Sequence, residues 1–150
     1  MLLIVTHSRS GRTQRLAEAV HAGAVAAGTP LEIRMLDAFD AGAEDVLASA
    51  GVILGTPARF GYMSGATKDF LERVFYPCLD QTKGRPWALF VKGDTDVTGA
   101  TSSVERIVAG LAWRRVLPVL EVVGDIRPED LEAATELGGS MAAGLEMGLW

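Results

Sequence analysis

A polar turn near the amino terminus has the residue types and the spacing of an anion-binding site. It reads His7-Ser8-Arg9-Ser10-Gly11-Arg12-Thr13 and separates the apolar run at residues 2–5 from a segment with helical periodicity. A turn that leads from a strand into a helix leaves the first helical N–H groups without partners, and the helix dipole adds positive potential there. The hydroxyl groups add hydrogen-bond donors, and Gly11 lets the backbone approach closely. The turn therefore predicts a phosphate site.

Two motifs that this turn lacks restrict the kind of phosphate. The dinucleotide fingerprint G-x-G-x-x-G does not follow the first apolar run, and the nucleotide-triphosphate fingerprint G-x-x-x-x-G-K-[ST] is also missing. A monophosphate therefore fits better than a dinucleotide or a triphosphate. Because Ser and Thr are also preferred helix caps, a hydroxyl-rich helix start without any ligand is the alternative interpretation.

A second polar stretch follows the apolar run at residues 51–55. It reads Thr56-Pro57-Ala58-Arg59-Phe60-Gly61-Tyr62-Met63-Ser64-Gly65. Aromatic faces and a guanidinium plane suit a flat heteroaromatic ring, and the glycines admit backbone N–H groups to the edge of such a ring. In the alternative interpretation, Phe60 and Tyr62 cover the core beneath a long loop.

Strand-like and helix-like segments alternate along the whole chain. Strands are predicted at residues 2–5, 31–36, 51–55, 87–91 and 118–123, and helices at 13–27, 43–50, 66–75, after 101 and from 128 nearly to 150. We expect Pro57 to end the third strand and Pro77 the third helix. Trp113-Arg114-Arg115 is expected to end the fourth helix, where the helix dipole favours cations.

Five strand–helix units without a linker predict a single doubly wound α/β domain, residues 1–150, with a parallel sheet. In such sheets ligands bind at the carboxyl ends of the strands. The loops after strands one, three and four are polar and contain glycine, the third of them spanning residues 92–101. These three loops are therefore expected to form one crevice.

Composition excludes several functional classes. The net charge of -5 argues against a broad nucleic-acid footprint. The single cysteine, Cys78, excludes an intrachain disulfide and a multi-cysteine metal site, and two distant histidines do not make a metal site either. No apolar segment approaches the roughly 20 residues of a membrane span. A cytoplasmic protein without metal, nucleic-acid or membrane partners is expected.

Both polar loops resemble those of known flavoproteins. Ser8-x-Ser10-Gly11-x-Thr13 resembles the flavin-phosphate loop of the flavodoxin superfamily. Residues 55–65 closely resemble the G-T-P-x-R-F-G-x-M-S-G stretch of WrbA-type NAD(P)H:quinone oxidoreductases, which are related to the NADPH-dependent FMN reductases. The resemblance implies a three-layer, flavodoxin-like fold with five parallel strands in the order 2-1-3-4-5 and FMN as the cofactor.

The resemblance also implies which residues contact FMN. Those expected to hold its phosphate are Ser8, Arg9, Ser10, Gly11, Arg12 and Thr13. Those expected to line the ring are Pro57, Ala58, Arg59, Phe60 and Gly61. Residues 92–96, including Lys92, Gly93 and Asp94, are expected with Gly99 on the opposite side of the ring.

The expected function is an NAD(P)H-dependent flavin oxidoreductase. It takes a hydride from NAD(P)H onto FMN and passes electrons to a quinone or another small-molecule acceptor, with no catalytic side chain required. A homodimer or homotetramer is expected from the related enzymes. The alternatives are an electron carrier of the flavodoxin type, which exchanges electrons with protein partners, and a flavin-free domain that binds another phosphorylated ligand.

Two features depart from the related families. WrbA-type enzymes carry an insertion around the last strand, whereas this chain continues directly from Val123 into its final helix. The flavodoxin phosphate loop is usually uncharged, yet this one contains Arg9 and Arg12. These arginines either pair with a phosphate, of FMN or of NADPH, or are solvated.

Overall fold

A computed structural model describes residues 1–150 and places a parallel sheet between two layers of helices. The strands are β1 (Leu2–Thr6), β2 (Ile33–Asp37), β3 (Gly51–Arg59), β4 (Tyr62–Met63), β5 (Pro86–Gly93), β6 (Arg114–Arg115) and β7 (Leu120–Val123). The helices are α1 (Arg12–Ala26), α2 (Ala43–Ala48), α3 (Gly65–Cys78), α4 (Thr98–Gly110) and α5 (Pro128–Glu146). No helix has both the length and the apolar character that a bilayer crossing requires.

The sheet order confirms the expected topology. The strands lie in the order β2-β1-β3-β5, and both β6 and β7 pair in parallel with β5. Strand β6 contacts the start of β5 and β7 contacts its end, so the two share the fifth position of the sheet. The predicted order 2-1-3-4-5 is therefore confirmed, with its last strand divided in two. The small antiparallel strand β4 forms a hairpin with the end of β3.

Alternate residues of the central strands pack against different helix layers, which explains their continuous apolar runs. Leu2 and Ile4 of β1 belong to the buried cluster that contains residues of α1 and α5. Leu3 and Val5 belong to the cluster that contains residues of α2, α3 and α4. The sheet is thus covered by helices on both faces.

Helices α1 and α5 cross with their backbones in direct contact. A Cβ atom on Gly138 would lie 1.9 Å from the carbonyl oxygen of Val20, and one on Gly23 would lie 1.9 Å from that of Thr135. Real Cβ atoms do not approach backbone oxygens so closely, so glycine is required at both positions. This crossing fixes the second half of α1 against α5.

The prediction that Pro57 ends the third strand is wrong. Strand β3 continues through Pro57 to Arg59, and Pro57 lies opposite Lys92 of β5. Strand β1 ends at Thr6, opposite Gly55, so Pro57 has a neighbouring strand on one side only. Proline is tolerated at such an edge-like position because one backbone donor is not needed there.

Two helix ends also differ from the predictions. Helix α3 does not stop before Pro77 but includes it and ends one residue later, at Cys78. Pro77 lacks the N–H that would bond to the carbonyl four residues earlier, so the last turn tolerates the loss of one helical hydrogen bond. Arg114 and Arg115 do not end the fourth helix. Helix α4 ends at Gly110, Ala112 adopts a φ of 55°, and the two arginines form β6 beside the start of β5.

The third polar loop is shorter than expected. Lys92 and Gly93 belong to β5, and Gly99 lies in the first turn of α4, which leaves residues 94–97 as the loop. Strand β5 pairs with β3 in one register as far as Lys92. The strand is therefore longer than the apolar run that predicted it, which ends at Val91. The side chain of Lys92 is therefore held by the sheet rather than by a loop.

Asp130 stabilises the start of α5 in a pH-dependent way. Its Oδ2 accepts a hydrogen bond from the Arg127 N–H at 2.8 Å, and this bond lowers the pKa of Asp130 below its ordinary value of 3.8. We expect Asp130→Ala to lower the free energy of unfolding by about 1 kcal/mol at pH 7. Because the folded pKa lies below the unfolded one, this contribution is present above about pH 4 and is lost as the pH falls further.

Urea denaturation at pH 7 and at pH 3 tests this expectation, with Glu132→Gln on the exposed face of α5 as the control. The difference between the wild type and Asp130→Ala should shrink at pH 3, whereas Glu132→Gln should stay close to the wild type at pH 7. An equal loss of stability at both pH values for Asp130→Ala would contradict the proposed capping role.

Candidate functional site

The three polar segments meet where β1, β3 and β5 end. A small cavity of about 40 Å³ lies between them. It is lined by Ser10, Arg12, Thr13, Pro57, Ala58, Arg59, Lys92, Gly93 and Asp94. Residues of all three sequence-predicted loops therefore line one polar space, as expected for ligand sites in open α/β sheets.

The turn after β1 presents unpaired backbone donors. Gly11 adopts a φ of 86°, and its N–H donates to Ser8 Oγ at 2.9 Å. The regular bonding of α1 starts with the Arg15 N–H, which donates to the Gly11 carbonyl at 3.1 Å. The N–H groups of residues 12–14 have no acceptor within the protein, and no acidic side chain stands in the first turn. This arrangement fits an external anion.

A buried hydroxyl at the end of β1 also lacks a partner. Thr6 is 3% exposed, and its Oγ1 makes no hydrogen bond. In the sequence Thr6 directly precedes the polar turn. Thr6 lines neither of the two cavities at the strand ends, so its hydroxyl is not counted among the groups that could contact a ligand.

The charges of the small cavity are arranged around Asp94. Its Oδ1 accepts a hydrogen bond from Arg12 Nη1 at 2.9 Å and lies 3.5 Å from Lys92 Nζ. Lys92 Nζ also donates to the Gly93 carbonyl at 3.0 Å. The Arg12 and Asp94 side chains are exposed, whereas that of Lys92 is only 3% exposed. Of the two unexpected arginines, Arg12 is thus paired, and Arg9 lies on the other side of the turn.

The hairpin of β3 and β4 carries the expected ring-lining residues. Phe60 and Gly61 form its tip with φ values of 52° and 69°, the combination of a type I′ turn, and the Phe60 side chain is fully exposed. A Cβ atom on Gly99 would lie 1.9 Å from the Gly61 carbonyl oxygen. Ser103 Oγ accepts the Met63 N–H at 3.2 Å. The tip is therefore docked on α4, and Gly99 permits that contact.

A larger cavity of about 750 Å³ lies on the other side of Arg59. It is lined by His7, Ser8, Arg9, Phe39, Arg59, Phe60, Tyr62, Met63, Ser64, Gly65 and Ala66. His7 Nδ1 lies 3.0 Å from Asp37 Oδ2, and the His7 and Phe39 rings meet edge to face at 5.3 Å. His7, directly after β1, is thus held by a hydrogen bond to the end of β2. Phe60 and Tyr62 line an open cavity and are both exposed.

Sequence reasoning missed two features of this region. Phe39 carries no motif, and it reaches the larger cavity only because β2 pairs in register with β1 and ends beside the polar turn. Asp96 was expected beside the ring as part of residues 92–96, but it lines neither cavity. The Thr98 N–H donates to its carboxylate at 2.9 Å, and this bond lowers the pKa of Asp96. An aspartate that accepts from the backbone N–H two residues further on is a recognisable turn signal in a sequence.

Comparisons with known proteins agree on one family. A sequence model of a protein family, described as Flavodoxin, matches residues 4–138 of this chain. A flavodoxin of Aquifex aeolicus (strain VF5) is 34% identical over 85 residues, which make up 56% of this chain and 45% of that protein. The chain thus spans less than half the length of that curated relative.

Solved structures show the same fold. A flavodoxin from the domain Archaea superposes with a TM-score of 0.84 at 17% identity, covering 96% of this chain and 97% of the other. A WrbA-like protein of Agrobacterium tumefaciens superposes with a TM-score of 0.80 at 21% identity, covering 97% of each chain. At these identities the likeness concerns the fold alone, and the WrbA-type subgroup is not distinguished from other flavodoxin-like proteins.

The expectation of an NAD(P)H-dependent enzyme is wrong. The matching family model and the sequence relative are both flavodoxins, and they favour an electron carrier. The wrong expectation came from the similarity of residues 55–65 to one enzyme family. In the structure that stretch includes the hairpin of β3 and β4, which lines both cavities.

Proposed function

Because the chain belongs to the flavodoxin family, we propose that it binds FMN at the ends of β1, β3 and β5 and carries electrons between protein partners. The family match over residues 4–138 is the observation on which this proposal rests. The flavodoxin family implies FMN, and FMN supplies reversible electron transfer when bound. The protein needs only to hold the cofactor, orient it and limit the access of water.

The residues at the polar turn fit the phosphate of FMN. The free N–H groups of residues 12–14 and the positive end of the α1 dipole favour an anion. Ser10 and Thr13 add hydroxyl donors to the same cavity. We assign the phosphate to Ser10, Gly11, Arg12 and Thr13, whereas Ser8 and Arg9, which were also expected to hold it, line the larger cavity.

The hairpin is assigned to the flavin ring, whereas Lys92, Gly93 and Asp94, which were also expected beside the ring, line the small cavity together with the polar turn. Pro57, Ala58 and Arg59 line the small cavity. Arg59 also lines the larger cavity, together with Phe60. Aromatic and guanidinium planes beside a cavity suit a flat ring. Gly61 and Gly99 contribute by docking the hairpin tip on α4. We propose that the similarity of this hairpin to WrbA-type proteins reflects a shared way of holding the ring.

Anaerobic mixing tests the carrier role. We expect the FMN-loaded protein to be bleached by dithionite and to be reoxidised by an electron-transfer protein such as cytochrome c. NADH and NADPH in excess should leave the flavin absorbance unchanged on the timescale of seconds. Rapid bleaching by either nicotinamide, at a rate that saturates with its concentration, would contradict the carrier role.

The oligomeric state of the protein, its electron acceptor and its location in the cell are also proposals. A homodimer or homotetramer stays a prediction, which light scattering coupled to size-exclusion chromatography can measure. The expectation of a small-molecule acceptor stays open to the same mixing experiment with a quinone in place of cytochrome c. The cytoplasmic location stays a prediction as well.

A further inference from the structure

A nearly buried lysine faces the small cavity with unused hydrogen-bonding capacity. The Lys92 side chain is 3% exposed and lines that cavity beside Ser10 and Thr13. Its ammonium group has three donors, of which one is used by the Gly93 carbonyl at 3.0 Å. The nearest carboxylate oxygen, on Asp94, is 3.5 Å away, whereas a charge-assisted hydrogen bond measures about 2.7–2.9 Å. A closer anion would satisfy this cation better.

One other acid lies near Lys92. The register of β5 places Lys92 two residues beyond Phe90, which packs in the cluster of α1 and α5. On that side is Asp130, whose pKa is lowered first by the hydrogen bond from the Arg127 N–H and to a smaller extent by the charge of Lys92. Asp130 makes its hydrogen bonds with Arg127 and none with Lys92, so the cavity is where the ammonium group can gain a directly bonded anion.

Asp94 stands between two cations that come from different elements. Arg12 reaches its Oδ1 from the start of α1, and Lys92 faces the same oxygen from the end of β5. The Asp94 side chain is 76% exposed, so it can rotate outward without leaving a buried charge. Exposed ion pairs of this kind contribute little to stability.

Asp94 stands where a phosphate would meet the two cations. The small cavity is lined by Arg12, Lys92 and Asp94, so a phosphate that approaches both cations comes close to the Asp94 carboxylate and is repelled by it. Outward rotation of Asp94 would open the space between Arg12, Lys92 and the free N–H groups of the turn. A phosphate placed there would replace one carboxylate with a more highly charged anion.

We propose that Lys92 and Arg12 make this site selective for phosphorylated over unphosphorylated flavin, and that Asp94 is an internal anion which the phosphate displaces. This inference rests on the proposed function, because it concerns the same site. Lys92 recognises the phosphate by charge, in addition to the neutral donors of the turn, and Asp94 weakens binding by competing for the same cations.

Fluorescence titrations with FMN and with riboflavin test the role of Lys92. Lys92→Gln should weaken FMN binding by about tenfold to a hundredfold, as expected for the loss of a hydrogen bond to a charged group. The same change should leave riboflavin binding within about twofold. Lys83→Gln, at an exposed position before β5, is the control and should change neither affinity. Equal weakening of both flavins, or no weakening of either, would overturn the inference.

Asp94→Asn supplies an independent test in the opposite direction. Removing the competing charge should tighten FMN binding about twofold to fivefold, the range for an exposed ion pair, without affecting riboflavin. Asp125→Asn, in the exposed loop after β7, is the control. Weaker or unchanged FMN binding by Asp94→Asn would overturn the role of Asp94. If Lys92→Gln does not fold, the titration of Asp94→Asn alone decides whether the inference stands. A wild type that binds riboflavin as tightly as FMN would overturn the inference alone, whereas one that binds neither would overturn the proposed function too.

Discussion

Gly138→Ala is expected to lower the free energy of unfolding by about 3 kcal/mol, the upper part of the usual range for overpacking. The added Cβ atom would lie 1.9 Å from the Val20 carbonyl oxygen, so helices α1 and α5 have to separate. A backbone oxygen inside a helix cannot rotate away as a flexible side chain can. The loss should therefore exceed the gain of about 1 kcal/mol that alanine brings to an unstrained helix position.

Gly139→Ala is the matched control for this change. A Cβ atom on Gly139 would lie 3.3 Å from the Gly23 carbonyl oxygen, a tight contact that a small shift relieves. We expect its stability to stay within about 1 kcal/mol of the wild type, because helix propensity offsets the contact. Urea denaturation followed by circular dichroism measures both variants. Similar stabilities for the two variants would mean that α1 and α5 do not approach each other as closely at Gly138 as the structure shows.

The second large effect is expected at Gly11, in the polar turn. Gly11 has a φ of 86°, a region that costs an L-residue about 1–2 kcal/mol. To relieve this strain, Gly11→Ala should shift the turn and misplace the free N–H groups of residues 12–14. Losing one hydrogen bond to a charged phosphate corresponds to about tenfold or more in affinity, so FMN binding should weaken by at least that factor.

Gly28→Ala separates this effect from strain alone. Gly28 follows α1, has a φ of 67°, and like Gly11 has no atom within 4 Å of its Cβ position. Both variants should therefore lose similar stability, but only Gly11→Ala should lose FMN affinity. Isothermal titration calorimetry of the two variants with FMN measures the difference. Equal FMN affinity in the two would remove Gly11 from the binding site.

The parts of the site that depend on local sequence were predictable. Ser8, Gly11 and Thr13 define a strand-to-helix turn by type and spacing alone, and the structure places them as expected. The sheet order followed from strand–helix alternation together with a family resemblance, and it is confirmed. These features follow from turn chemistry and from the burial of apolar runs on both faces of a sheet.

The features that depend on pairing between distant segments were not predictable. The burial of Lys92 follows from its register opposite Pro57, and no pattern within residues 86–93 indicates it. The contact of Gly138 with Val20 depends on how closely two helices approach. Residues 55–65 suggested an enzyme because they resemble one short stretch of one enzyme family, whereas the family match that corrects this expectation covers residues 4–138.

The most direct test of the account is a fluorescence titration of FMN with the purified protein after any bound flavin has been removed. We predict that FMN fluorescence changes to a plateau at one FMN per chain, and that the complex shows the shifted absorbance bands of a flavin in a protein site. FMN fluorescence that stays unchanged at a protein concentration of about 100 μM, far above the micromolar range of specific ligand sites, would contradict the account.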